Sequence, residues 1–204
     1  MDFLPLKMFL EKLTLGLVRP RAVARAVIDA RPDGRERLLI VGLAAAMQGM
    51  FWALIGVIAP GAMGGAMAGG LGPMGQLALA SLAFVNYVLV AMLAYFIGRA
   101  FGGAGKPSDV AAAIAWHSVL SAALTPVQAM IFRPALPDAG AESGAGGGSV
   151  MLLGFYIGYN LWLLGSCVAE AHGFRSTGRV VAATAAVAIS IGAVLTVLVA
   201  AGRG

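Results

Sequence analysis

The sequence predicts an all-α polytopic membrane protein with five transmembrane helices, preceded by short amphipathic helices at the N-terminus. Two observations predict this fold class. The chain contains five apolar blocks separated by hydrophilic or glycine-rich breaks, and its basic residues are concentrated in alternate breaks. Each block is close to the ~20 residues that cross a hydrocarbon core about 30 Å thick. The blocks cover approximately residues 38–59, 75–98, 109–132, 149–170 and 178–201.

The composition agrees with a membrane protein. Hydrophobic residues make up 60% of the chain and charged residues only 11%, and the mean hydropathy is +0.89. This leaves too little polar surface for a soluble globule of 204 residues. The net charge of +5 would favour nucleic acid in a soluble domain, but these cations lie between apolar blocks, so we expect no nucleic-acid partner. Residues 1–37 form a basic N-terminal segment, and residues 38–204 form the transmembrane domain.

The distribution of lysine and arginine predicts the orientation. The positive-inside rule places basic loops in the cytoplasm. All but two of the 14 basic residues fall before the first block, between the second and third, or between the fourth and fifth. The exceptions are Arg133 and Arg203. We therefore expect a cytoplasmic N-terminus, a periplasmic C-terminus and a place in the bacterial inner (cytoplasmic) membrane.

The N-terminal segment contains two short helical candidates. The second is opened by Pro20, a favoured first helical residue, and carries Arg21 and Arg25 one turn apart. Both helices could lie against anionic lipid headgroups, where each basic residue contributes about 1 kcal/mol, or they could pack beneath the bundle. We predict that Arg19, Arg21 and Arg25 attach the segment to the membrane or to a partner.

Each predicted span carries one hydrogen-bonding side chain near mid-membrane, counting about 1.5 Å of rise per residue. An unpaired polar group is costly in hydrocarbon, so we predict that these five face inward and bond one another. An alternative makes the histidine a proton-titrating group in a conduction or sensing path, because only histidine changes charge near neutral pH. The polar layer consists of Gln48, Asn86, His117, Asn160 and Ser190.

The end of the fourth span carries a helix-end motif. Gly173 is predicted to supply a left-handed cap, with His172 near the negative end of the helix. Glu170 is predicted to pair with a cation from a neighbouring inner loop. The candidates for that cation are Arg99, Arg175 and Arg179.

Several local features of the spans have a structural interpretation. Pro126 predicts a kink in the third span, and Ser108 is predicted to cap its start. Gly154 and Gly158 form a GxxxG pair. Such a pair is typical of close helix packing within a molecule or of an oligomer surface, so a homo-oligomer remains open.

No arrangement typical of a catalytic, cofactor or metal site occurs in the chain. Glu170 and His172 are two residues apart, which points them away from each other on a helix, and no HxxxH, CxxC or ExxH repeat accompanies them. A Ser-His-Asp set, paired carboxylates and a zinc-protease motif are also missing. We therefore expect no enzymatic activity, no catalytic residue, no cofactor and no metal. The single cysteine, Cys167, allows no intramolecular disulfide.

Four segments carry a family resemblance. They are Pro20-Arg-Ala-Val-Ala-Arg-Ala-Val-Ile28, Ala115-Trp-His-Ser-Val119, Phe132-Arg-Pro134 and Cys167-Val-Ala-Glu-Ala-His-Gly-Phe174. In this order they resemble the Yip family (Ypt/Rab-interacting proteins) of five-span membrane proteins, in its alphaproteobacterial form, over about residues 10–200. The resemblance implies the fold and a cytoplasmic N-terminus. Eukaryotic members bind Rab-type GTPases, but this chain lacks their Asp-Leu-Tyr-Gly-Pro type signature, so Rab binding is not carried over.

Two functions are compatible with these features. The first is a non-enzymatic integral membrane protein that binds other membrane proteins or organises the lipid bilayer, including as an accessory subunit of a larger membrane complex. The alternative is a small transporter or channel that uses the mid-membrane polar layer. The two differ in whether the polar side chains surround water or satisfy one another.

The charge pattern generates a topological prediction. Reporters fused after residues 104 and 175 should be active in the cytoplasm, and reporters after residue 140 and at the C-terminus should be active in the periplasm. Paired alkaline phosphatase and fluorescent protein fusions measure both locations. A cytoplasmic C-terminus would contradict the five-span arrangement.

Overall fold

The computed structural model describes residues 6–58, 73–132 and 147–201. Within these ranges the chain forms helices joined by short connections, without a strand, so the predicted all-α fold class is confirmed. In chain order the helices are α1 (Leu6–Val18), α2 (Pro20–Asp29), α3 (Gly34–Ile58), α4 (Pro73–Ala100), α5 (Pro107–Ala123), α6 (Thr125–Phe132), α7 (Gly147–His172) and α8 (Thr177–Ala201).

Several of these helices are long and apolar enough to cross a membrane. Three described helices qualify alone, through Gly34–Ile55, Ser81–Ala100 and Met151–His172. The bent pair of α5 and α6 passes the same test together and gives a fourth span if the pair crosses the membrane as one broken helix. The segment Thr177–Val187 of α8 is apolar but shorter. The structure therefore supports a polytopic membrane protein, and the fifth span stays a prediction.

The third predicted span is bent where the sequence predicts a kink. The axes of Pro107–Ala123 and Thr125–Ile131 differ by 51°, with Leu124 between them at φ −86° and ψ −3°. The following Pro126 has no N–H to donate, and its ring clashes with the carbonyl one turn earlier. The predicted cap at Ser108 is wrong, because Pro107 occupies the first helical turn and moves the N-cap back to Lys106.

Helix α5 forms the centre of the bundle. It packs most extensively against α3 and α7, and also contacts α2 and α4. Alanine occupies much of its surface, and small side chains allow neighbouring backbones to approach closely. Its buried residues are Val110, Ala112, Ala113, Ile114, Ala115, Trp116, Val119, Leu120 and Ala122.

The basic segments of the chain meet at one end of the bundle, which we call the basic end (residues 20–37, 99–108 and 170–179). The Ala104 N–H donates to the carbonyl of His172 at 3.2 Å. The Arg37 guanidinium donates to the carbonyl of Ser108, also at 3.2 Å. These bonds connect the start of α3, the α4–α5 connection and the end of α7. The inner segments that the charge pattern groups on one side of a membrane therefore lie together.

Helix α2 packs beneath the bundle, which is one of the two alternatives that the sequence leaves open. Pro20, Val23 and Ala24 are buried, and the helix contacts α5 and α7. Helix α1 has two apolar sides. Its Phe9 ring lies edge-on to Trp116, with centroids 6.4 Å apart, whereas Val18 is 72% exposed. The bundle thus covers one side of α1 and leaves the other exposed.

The GxxxG pair of α7 does not pack within the described molecule. A Cβ atom added at Gly154 or Gly158 would meet nothing within 4 Å, so the interpretation as an intramolecular contact is wrong for this pair. Close packing instead uses Gly165, where a Cβ would lie 2.5 Å from Val181 Cγ2 of α8. The close approach of α7 and α8 therefore lies nearer the basic end than the GxxxG pair does.

Candidate functional site

The last turn of α7 carries a buried carboxylate that holds two arginines of α2. Arg21 Nε donates to Glu170 Oε2 at 3.0 Å, and Arg25 Nε donates to Glu170 Oε1 at 2.5 Å. Each carboxylate oxygen thus accepts a hydrogen bond from one guanidinium. The Glu170 side chain is 8% exposed, against 35% for Arg21 and 67% for Arg25. A carboxylate this buried requires charged partners, because its desolvation is otherwise uncompensated.

The two arginines play unequal parts in this contact. Arg21 also donates to the carbonyls of Phe174 at 2.9 Å and Arg175 at 3.2 Å, so it fixes the α7–α8 connection as well as α2. For Arg25, the hydrogen bond to Glu170, followed by the charge of that carboxylate, raises the guanidinium pKa above its usual value. Arg21 is therefore the structural anchor, and Arg25 is a more exposed second cation.

The predicted partners of Glu170 are wrong. The sequence suggested Arg99, Arg175 or Arg179, but the structure pairs the carboxylate with arginines about 150 positions earlier in the chain. The loop cations are nearer in sequence, whereas α2 reaches Glu170 by packing its buried face on α5 and α7. Arg99 instead donates to the Gly103 carbonyl at 3.3 Å.

His172 lies buried between the end of α7 and the α4–α5 connection. The Gly105 N–H donates to His172 Nδ1 at 3.3 Å, and His172 Nε2 lies 3.2 Å from the carbonyl of Ala94. Because Nδ1 accepts, the ring proton belongs on Nε2, which donates to that carbonyl. This is the neutral imidazole, and both ring nitrogens are satisfied. The ring also stacks on Phe174, with centroids 5.6 Å apart and planes at 28°.

Three glycines leave the space that the His172 ring occupies. A Cβ atom at Gly98 would overlap the ring, and at Gly103 and Gly105 it would lie 2.5 Å and 2.8 Å from Nδ1. Real Cβ contacts are not this short. The imidazole therefore fits only because these three positions carry no side chain. We call Gly98, Gly103 and Gly105 the glycine cage.

The predicted cap at the end of α7 is confirmed. Gly173 has φ +72°, the left-handed region that favours glycine. The Phe174 N–H bonds the carbonyl of Ala169 at 2.8 Å, and the Gly173 N–H bonds that of Glu170 at 3.2 Å. These two bonds form a Schellman motif. The motif turns Phe174 back onto the His172 ring.

The five residues of the predicted polar layer do not form one network. His117 Nε2 lies 3.3 Å from Ser121 Oγ, and that hydroxyl donates to Asn160 Oδ1 at 3.4 Å. Ser190 is exposed and bonds its own helix, through the Ala186 carbonyl at 2.8 Å. Only His117 and Asn160 are thus brought together, through a serine that the sequence analysis did not single out.

The two remaining members of the layer lie apart from this group. Gln48 is half-buried, and Asn86 is exposed on α4. Among the described residues, neither donates to nor accepts from His117, Ser121 or Asn160. The prediction that Asn86 and Ser190 face inward is wrong, because depth along a helix does not specify which side faces the bundle.

The structure supplies no ligand set for a metal in its described ranges. Three or more His, Cys, Asp or Glu side chains never cluster there closely enough to hold an ion. Cys167 is fully buried within the core around α5. Arg19 is exposed, and its carbonyl accepts the first hydrogen bonds of α2. Glu170 pairs with Arg21 and Arg25 and not with Arg19.

Sequence reasoning missed the glycine cage, although a signal was present. Gly98 lies in the last turn of α4, and Gly103 and Gly105 lie in the α4–α5 connection. A cluster of glycines beside a helix end is typical of close contact with a bulky group. Nothing in the sequence identified His172 as that group, because it lies 67 residues beyond Gly105.

The cage generates a prediction about stability. Replacing Gly98 by Ala should lower the free energy of unfolding by about 1–3 kcal/mol, because the new methyl overlaps the imidazole. Gly154→Ala is the matched control in an open helical position, where alanine should stabilise the helix by up to about 1 kcal/mol. In a His172→Ala background the penalty at Gly98 should disappear. Thermal unfolding in detergent measures the wild type, the three single variants and the double variant, and equal effects at Gly98 and Gly154 would contradict the cage.

The comparisons with known proteins identify the family. Residues 15–198 match the family model described as the Yip1 domain. No curated protein and no solved structure matches the chain. The family match covers most of the chain and includes α2, the bundle and the Glu170 contact. The chain therefore belongs to the Yip1 domain family of membrane proteins.

Proposed function

We propose that this Yip1 domain protein is a non-enzymatic membrane protein of the bacterial inner membrane that binds another membrane protein through the outer face of α4. The observation that carries the proposal is the exposure of Asn86. This polar side chain is exposed on an otherwise apolar surface of α4. The family match supports a membrane protein, and the partner and activity are our inference.

Asn86 lies at the middle of α4. The helix has 28 residues from Pro73 to Ala100, so its midpoint falls at Asn86. The apolar neighbours on the same side are exposed as well: Leu82 at 63%, Val85 at 50% and Leu89 at 54%. These residues repeat at helical spacing, so they form one stripe, which we call the α4 stripe (Leu82, Val85, Asn86 and Leu89).

An amide in this position favours association with another helix. In hydrocarbon it has no water to bond, and an interhelical hydrogen bond is worth about 0.6–2 kcal/mol. A second transmembrane helix with a hydroxyl or amide at its own midpoint would satisfy Asn86 while covering the apolar stripe. The partner chemistry is therefore an apolar helix with a single polar group at mid-depth.

The mid-depth polar group inside the bundle supports a structural role over conduction. His117 and Asn160 share Ser121 through hydrogen bonds, which is the mutual satisfaction expected of packing rather than of a water path. The leading interpretation of the sequence is thus retained as the proposal.

Attachment through the N-terminal segment is proposed for Arg19. The structure commits Arg21 and Arg25 to Glu170, whereas the Arg19 side chain is exposed. With a cytoplasmic N-terminus, Arg19 would face the anionic headgroups of the inner leaflet or an acidic partner. Partner binding at α4 does not require this contact.

The α4 stripe can be tested by copurification from native membranes. Asn86→Leu should reduce recovery of the partner at least about threefold, the value of one interhelical hydrogen bond. Asn86→Gln keeps the amide and should retain most of the partner. Ser190→Ala is the matched control, because this exposed hydroxyl is already satisfied by its own helix.

Quantitative mass spectrometry of the proteins that copurify with the tagged protein measures the recovery. Thermal unfolding in the same detergent checks that each variant is folded. The proposal predicts the same set of copurifying proteins for wild type, Asn86→Gln and Ser190→Ala. An unchanged set and amount with Asn86→Leu would refute binding through the α4 stripe.

A further inference from the structure

A groove runs between α4 and α8 and reaches the basic end. It has a volume of about 820 Å³, and its floor is formed by Leu164 and Val168 of α7. It exists because α8 packs against α7 and has no comparably extensive contact with another described helix. One rim is formed by Leu93 and Phe101, which are 46% and 65% exposed. The groove therefore opens sideways, toward the space that lipid fills around a membrane protein.

The groove is apolar along its length and positively charged at one end. Val90, Ile97 and Val187 contribute to its apolar walls, and Arg175 and Arg179 line the end beside the α7–α8 connection. Both arginines are exposed, and among the residues that the structure describes neither forms an ion pair. The basic end of the groove thus carries two arginines without a carboxylate partner among the described residues.

The length of the groove matches one leaflet of a bilayer. From Arg179 to Val187 the wall of α8 extends eight residues, and the opposite wall extends eleven, from Val90 of α4 to Phe101 just beyond its end. At about 1.5 Å per residue these walls are roughly 12 Å and 16 Å long. Half of a hydrocarbon core is about 15 Å thick. An acyl chain that enters from the basic end would therefore lie along the groove to about mid-membrane.

We propose that this groove binds an anionic phospholipid, with its phosphate between Arg175 and Arg179 and an acyl chain between α4 and α8. Charge complementarity selects the headgroup, and the apolar walls select the chain. Basic pockets between transmembrane helices are the common form of such sites, and the volume lies within the range of small-molecule pockets. The site is separate from the α4 stripe and does not depend on the protein partner proposed there.

The structure also explains how the charged end is positioned. The carbonyl of Arg175 accepts a hydrogen bond from Arg21, and Phe174, which lines the groove, stacks on His172. The Glu170 contact and the glycine cage therefore fix the connection that presents the two arginines. Bound lipid would fill the space between α8 and α4 and hold α8 against the bundle.

The test uses the purified full-length protein in a mild detergent, titrated with dioleoyl phosphatidylglycerol or dioleoyl phosphatidylcholine and analysed by native mass spectrometry. We expect phosphatidylglycerol to bind more tightly. Arg175→Gln with Arg179→Gln should weaken that binding by about 25-fold, since each cation contributes about fivefold. Arg35→Gln with Lys106→Gln removes the same charge from exposed residues outside the groove and should change binding less than twofold.

A second pair of variants tests the apolar part of the groove without changing charge. Ala183 lines the groove, whereas Ala186 is exposed on the same helix. Ala183→Phe should reduce retention of phosphatidylglycerol at least about fivefold, and Ala186→Phe should not. Equal binding of the two lipids, equal loss in both charge variants, or equal retention in both alanine variants would overturn the proposal.

Discussion

The structure depends on the last turn of α7, where two polar side chains bind different parts of the molecule. Glu170 holds the arginines of α2, and His172 holds the backbone of α4 and of the α4–α5 connection. The two residues are separated by two positions, so they point to nearly opposite sides of the helix. That spacing argued against a shared metal site, and it is the reason that one helix end can bind two elements.

This arrangement determines what the basic end can present. Arg21 and the stacked Phe174 fix the α7–α8 connection, and Gly165 lets α8 approach α7 closely beside it. Helix α8 packs against α7, and a groove remains between α8 and α4. The exposed surfaces of α4 and the groove are consequences of a core built around α5, whose small residues allow several helices to pack on it.

Features that depend on chain-local rules could be predicted from the sequence. Apolar length predicted the long helices, Pro126 predicted the bend, and Gly173 predicted the cap. Features that depend on the rotation of a helix could not. Asn86 and Asn160 lie at similar depths, yet one is exposed and the other reaches Ser121. The depth of a residue in the membrane follows from its position along the helix, whereas the side of the helix that faces the bundle depends on contacts with other helices. The partners of Glu170 were missed for the same reason, since α2 is distant in sequence and packs within the bundle.

Hydrogen exchange of the full-length protein in lipid nanodiscs tests the central claim that Glu170 anchors α2. In Glu170→Gln, amides of residues 21–29 should exchange at least about tenfold faster, because both arginines lose their charged partner. Amides of α5 should be unchanged, and Glu11→Gln, which removes an exposed carboxylate, should leave α2 as in wild type. Unchanged exchange in residues 21–29 of Glu170→Gln would contradict the account.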